Sequence, residues 1–193
     1  MKTALILHGM PSKEEYFDPN GSSPSNSHWL PWVQHQLLLN NILAQTPELP
    51  HPYQPVYEKW CEVFERFQID EQTHLIGHSC GAGFLIRWLS EHDVRVGKLA
   101  LVAPWLDPTH SILPDFFNFH LDSNLVNRTA GTMLYLSKDD DNDIQKSASV
   151  LKDQLQGLQI QEFPNRGHFT FADMKTDQFP ELLNLFVDIA QHV

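Results

Sequence analysis

Gly77-His78-Ser79-Cys80-Gly81 sets a serine between two glycines, each two residues away. A serine hydroxyl becomes a useful nucleophile only when a base takes its proton and a third group holds that base. The apolar run Thr73–Ile76 precedes the motif, and a helical pattern begins near Ala82. In that setting G-x-S-x-G reads as a strand–turn–helix elbow. The sharp turn strains the serine backbone, and side chains two residues away would clash. Gly77 and Gly81 remove those side chains, and Gly83 lets the helix pack close to the sheet. The helix N-terminus favours negative charge developing nearby. The plain alternative is a Gly-rich turn with an incidental serine; the strand before it and the helix after it weigh against that.

On a framework of this kind the acid and then the base follow the serine along the chain. His168, in Asn165-Arg166-Gly167-His168-Phe169, comes just after the apolar run Leu158–Phe163 and is the expected base. Ser137-Lys138-Asp139-Asp140-Asp141-Asn142-Asp143 follows the run Thr132–Leu136 and offers four carboxylates. One of them should accept the second imidazole N–H and fix the tautomer. Asp140 is preferred, with Asp139 and Asp141 as alternates, and Asp143 is expected to cap the next helix. A calcium loop would need a glycine at its sixth position and a glutamate at its twelfth, and this segment has neither.

Acyl chemistry also needs backbone donors for an oxyanion. The Cys80 N–H, directly after the serine, is one. The second should come from His8-Gly9-Met10, with Met10 N–H the expected donor and His8 holding the loop. The Cys80 thiol reads as a small buried hydrophobe and His78 as a packing residue. The remaining histidines show no H-E-x-x-H or comparable spacing, so no metal and no other cofactor is implied.

Short apolar runs alternate with longer periodic segments throughout. Thr3–Leu7, Thr73–Ile76, Lys98–Ala103, Thr132–Leu136 and Leu158–Phe163 read as strands, with Asn41–Gln45 a weaker sixth. Their near-continuous apolar character suits strands covered on both faces. Trp29–Leu39, Val56–Phe67, Ala82–Ser90, Ile144–Leu155 and Pro180–His192 read as helices, the last with Asp177 as a candidate cap. Alternation of this kind implies a parallel sheet flanked by helices on both faces.

Two stretches break the rhythm. Met10–Ser27 is polar, and Pro104–Arg128 carries several aromatic residues. Long irregular segments in compact domains are often functional loops. In that role the second would offer Trp105, Phe116 and Phe117 to a substrate. The plainer reading of both is a surface loop and a packing excursion.

The 193 residues are 41% hydrophobic and carry a net charge of −11, with two cysteines. One domain with one buried core is expected. The negative charge disfavours nucleic acid and anionic membranes as partners. Ala4–Leu7 is too short for a signal-peptide core, and no run approaches the length of a membrane span. Cysteine usage fits a reduced, cytoplasmic setting.

Several separated segments together resemble the small serine hydrolases related to retinoblastoma-binding protein nine and bacterial YdeN. They are Leu7-His8-Gly9, His28-Trp29-Leu30-Pro31-Trp32, Pro52 through Trp60, Gly77-His78-Ser79, Leu101-Val102-Ala103-Pro104, Ser137-Lys138-Asp139-Asp140 and Gly167-His168-Phe169. The resemblance implies an α/β-hydrolase fold of five or six parallel strands, in order 2-1-3-4-5-6, without a large cap domain. It implies a Ser–Asp–His triad at Ser79, Asp140 and His168. Cys80 stands where an aliphatic residue is common, and Met10–Ser27 is longer than the family suggests. The implied activity is hydrolysis of a small ester, thioester or amide through an acyl-serine. The rival is an idle hydrolase fold serving as a protein-binding module.

Overall fold

The apolar runs pair into one six-stranded, wholly parallel sheet in the computed structural model, which describes residues 1–187. The strands are β1 (Thr3–Leu7), β2 (Leu43–Gln45), β3 (Thr73–His78), β4 (Leu99–Val102), β5 (Thr132–Ser137) and β6 (Gln159–Phe163). Their spatial order is β2-β1-β3-β4-β5-β6, as expected. The α-helices are α1 (Lys13–Tyr16), α2 (Leu30–Leu39), α3 (Tyr57–Phe64), α4 (Cys80–Glu91), α5 (Asn142–Gln154), α6 (Phe171–Met174) and α7 (Pro180–Leu183).

Strand order and handedness set the layers. The chain steps from β1 outward to β2 through α2, then reverses through α3 and moves steadily toward β6. Right-handed crossovers put α2 on one face and α3, α4 and α5 on the other. α7 packs beside α2, where Trp29 meets Phe179 edge-on. Covered on both sides, β3 and β4 are buried along their whole length, and in β1 only Thr3 is partly open.

The two edge strands, β2 and β6, are the exceptions. Gln159, Ile160 and Glu162 are exposed on the β6 edge, and Glu162 lies 3.6 Å from Lys138 and 3.9 Å from Lys152. Charged side chains discourage a free edge from pairing with another chain.

Helix ends differ from expectation for local reasons. α4 begins at Cys80, because the elbow turns within the single residue Ser79. α5 begins at Asn142 with Asp141 at its N-cap, so Asp143 lies in the first turn and pairs with Lys146 at 2.9 Å instead of capping. Phe179, not Asp177, precedes α7. The expected helix Pro180–His192 is helical to Leu183 and continues as turns to Phe186; residues 188–192 lie outside the described residues.

The two long loops are built segments. Within Met10–Ser27, α1 starts in a capping box: the Glu15 N–H donates to Ser12 Oγ, and the Ser12 N–H donates to the Glu15 carboxylate. Within Pro104–Arg128, the buried Asp107 carboxylate accepts the N–H groups of Ser111, Ile112 and Leu113. Phe116 and Phe117, expected at a substrate pocket, are each 3% exposed and sit in the core. Phe116 packs on Tyr57, Trp60 and Phe84, and Phe117 on Trp105. Arg87 reinforces the turn by donating to the Asp115 and Phe116 carbonyls. Burying two phenyl rings against α3 and α4 removes apolar area from water, which a solvent-facing pocket wall would not do.

Candidate active site

β3, β5 and β6 all point their C-terminal ends at one edge of the sheet, where ligands of open parallel sheets bind. Ser79 leaves β3 with φ 54° and ψ −119°, a conformation that side chains other than glycine rarely adopt. The surroundings hold it there. Its N–H donates to the Val102 carbonyl at 2.9 Å, and its own carbonyl accepts from Gly83 and Trp105. A Cβ at Gly77 would stand 2.6 Å from the Ala82 Cα, and one at Gly81 would stand 2.3 Å from the His8 carbonyl oxygen. Gly83 serves a different purpose from the expected helix–sheet contact. A side chain there would strike the Trp105 carbonyl and the Phe117 ring.

The structure brings Ser79, His168 and Asp140 together. Ser79 Oγ lies 2.8 Å from His168 Nε2, and His168 Nδ1 lies 3.0 and 3.1 Å from the two Asp140 carboxylate oxygens. The Asp140 side chain is 1% exposed and that of His168 30%. A buried carboxylate facing Nδ1 favours the tautomer with the proton on that nitrogen, which leaves Nε2 free to accept from the serine.

The neighbouring acids have other tasks. Asp139 Oδ1 accepts from Ser137 Oγ at 2.5 Å and from the Gly167 N–H at 3.0 Å, while Ser137 Oγ accepts the Arg166 N–H. These bonds latch the acid loop to the histidine loop, and the Ser137 hydroxyl holds the Asp139 carboxyl below the usual carboxylate range. The sequence alone offers Asp139 only as an alternate acid. Asp141 is exposed at the start of α5.

His168 is gripped from several further sides. The Asp173 carboxylate accepts its backbone N–H, and the His78 ring donates to its carbonyl at 2.8 Å. His78 thus ties the residue before the serine to the loop that carries the base, beyond the packing role expected of it. Burial drives its proton affinity well down, with neighbouring His168 and His28 adding to the effect, so the ring is neutral. The anchoring roles of Ser137, Asp173 and His28 are not read from the sequence, although Ser137 and His28 lie in segments that carry the family resemblance. Only Asp173 had a signal, since Thr170-x-x-Asp173 matches a helix-capping pattern and Thr170 does cap α6.

The expected oxyanion donors lie beside the elbow. Among the described residues, no protein group accepts the N–H of Met10 or Cys80. Gly9 brings the first of these loops in close, since a Cβ on it would stand 3.0 Å from the Ser79 Cβ. His8 holds that loop as expected. Its Nδ1–H donates to the Gly9 carbonyl, and its Nε2 accepts the Leu49 N–H at 3.0 Å. The Cys80 thiol is fully buried, which pushes its proton affinity up and leaves it unsuited to attack.

Two cavities open on Ser79 and His168. One, of about 440 Å³, runs under Met10–Ser27 past Tyr16, His28 and Thr170. The other, of about 500 Å³, is walled by Trp105, Ile112, Ile144 and the start of α5. Trp105 therefore meets the cavity as expected, and Phe116 and Phe117 do not. Among the described residues no group of three or more His, Cys, Asp or Glu side chains could hold a metal ion, and no helix is long and apolar enough to cross a membrane.

Residues 19–187 match the family model described as serine hydrolase. YdeN of Bacillus subtilis is 28% identical over 164 residues, covering 82% of this chain and 86% of that protein. The crystal structure of the B. subtilis ydeN gene product superposes with a TM-score of 0.79 at 25% identity, covering 96% of each chain. Est1E of Butyrivibrio proteoclasticus shares the fold, with a TM-score of 0.66 at 12% identity, covering 96% of this chain and 86% of its own. The chain belongs to the serine hydrolase family.

Proposed function

We propose that this chain hydrolyses a small ester, thioester or amide through an acyl-Ser79 intermediate, without a metal or cofactor. The observation that carries the reading is the unbroken relay from Ser79 Oγ through His168 to the buried Asp140 carboxylate. His168 Nε2 takes the hydroxyl proton as Oγ attacks the substrate carbonyl. Asp140 keeps the proton on Nδ1 and stabilises the imidazolium that forms. The N–H groups of Met10 and Cys80, which no protein group accepts among the described residues, then take the negative charge on the tetrahedral oxygen. His168 then protonates the leaving group, and the same steps with water release the acid and free Ser79.

The test is labelling with a fluorophosphonate followed by peptide mapping. One label per chain on Ser79, abolished in Ser79→Ala together with ester turnover, is the expected result. No labelling would favour a hydrolase fold used for binding, and a label on Cys80 would point to a thiol enzyme.

A further inference from the structure

His28 lines the cavity under Met10–Ser27 and is tied to the chain just past the histidine loop while keeping a ring N–H to spare, whereas His78, in the same cavity, spends its ring N–H on the His168 carbonyl. Its Nδ1 accepts the backbone N–H of Phe171 at 3.1 Å, three residues past His168. A neutral imidazole that accepts at Nδ1 carries its proton on Nε2. That nitrogen has no partner among the described residues, and the ring lines the cavity with Ser79 and His168. The backbone of His28 has φ 59°, a left-handed conformation held on a side chain at a functional edge. Burial lowers its proton affinity, and the nearby His168 lowers it further against the opposing pull of Glu15 and Asp173. The ring is thus a fixed neutral donor.

Resting on the hydrolase reading above, we propose that His28 is a specificity residue whose Nε2–H recognises an uncharged hydrogen-bond acceptor on the substrate, such as an ether, hydroxyl or amide oxygen beyond the scissile bond. Charge narrows the class. The cavity lining includes Glu15 and Asp18 and contains no lysine or arginine. A substrate carboxylate or phosphate would meet repulsion there with no cation to offset it. A neutral acceptor meets only the donor, and the bond is made where water is partly excluded.

Two substitutions divide the two ends of the ring. Asn at position 28 tolerates positive φ and can still accept the Phe171 N–H, but it lacks the distal donor. Gln can place a donor near the Nε2 site and gives up the near acceptor. The probes are pairs of aryl and alkyl esters in which an ether oxygen replaces one methylene at successive positions of the acyl or alcohol chain. Intrinsic reactivity cancels when the ratio of kcat/KM, ether over all-carbon, is compared between enzymes.

At one or more positions the wild-type ratio should exceed that of His28→Asn by roughly three- to tenfold. His28→Gln should retain part of the preference while slowing both esters together, because the Phe171 anchor is lost. Ratios identical in wild type and His28→Asn at every position would overturn the proposal, leaving His28 a loop anchor only. If fluorophosphonate still labels Ser79 in that case, the hydrolase reading stands. Wild-type protein that takes no label and cleaves neither ester of any pair sinks both.

Discussion

Asp139 and Asp140 are adjacent in the chain but hold different parts of one loop. Asp140 faces the ring of His168, while Asp139 accepts the N–H of Gly167, one residue earlier. In the proposed mechanism their losses differ in kind. Asp140→Asn should lower kcat roughly 10³- to 10⁴-fold by favouring the wrong tautomer of His168, with KM little changed. Asp139→Asn should cost less, up to about 10²-fold, because it loosens the position of His168 without changing its proton. Steady-state kinetics on one aryl ester would separate them, and equal losses would mean the two roles are misassigned. The elbow was readable because the serine and the three glycines that make room for it lie within seven consecutive residues. Asp140 was preferred among three successive aspartates but not singled out, since that depends on how the turn after β5 meets a loop 28 residues away. The Asp141 N–H folds back onto Asp140 Oδ1 and turns the Asp141 side chain outward. No spacing rule encodes that.

At the scale of elements, apolar periodicity located every strand and five of the seven α-helices among the described residues, because burial leaves a strong pattern. It did not separate a pocket wall from a packing excursion. Phe116 and Phe117 carry the composition of a lid, yet their rings fill the gap between α3, α4 and Trp105. Phe116→Ala should therefore destabilise the fold by about 3–5 kcal/mol in urea unfolding, leaving KM for a small ester within twofold. A large rise in KM with stability unchanged would return Phe116 to the pocket. Gly81 tests the join between elements. The atoms a Cβ there would strike are the backbone oxygens of Leu7 and His8, which have little freedom to yield. Gly81→Ala should cost about 1–3 kcal/mol or more and displace the loop bearing Met10. Full stability and activity in that variant would argue against so close an approach of α4 to the end of β1.

For the molecule as a whole, the buried histidines set a pH dependence of folding apart from that of its net charge of −11. His8, His28, His74 and His78 all have lowered proton affinity, with burial the largest cause in each. His74, on β3 and only 3% exposed, is the cleanest case. Its Nδ1 accepts the Lys98 N–H at 2.9 Å, while its buried Nε2 has no partner among the described residues. Burial, with Lys2 and Lys98 adding to it, brings its pKa down to about 4. An unfolded histidine titrates near 6.5. Between these values the unfolded chain binds a proton that the folded chain refuses, so stability rises with pH and is lost on acidification. Each such group adds up to about 1.4 kcal/mol per pH unit to that slope. His74 should make the unfolding free energy drop from about pH 6.5 toward pH 4, with His8, His28 and His78 acting in the same direction below pH 6.5. His74→Asn keeps an acceptor for the Lys98 N–H and cannot be protonated. It should flatten the pH dependence in this window by close to one proton, read as the change in slope of urea-unfolding free energy against pH. A variant slope equal to that of the wild type would mean that His74 is protonated as readily in the folded chain as in the unfolded one.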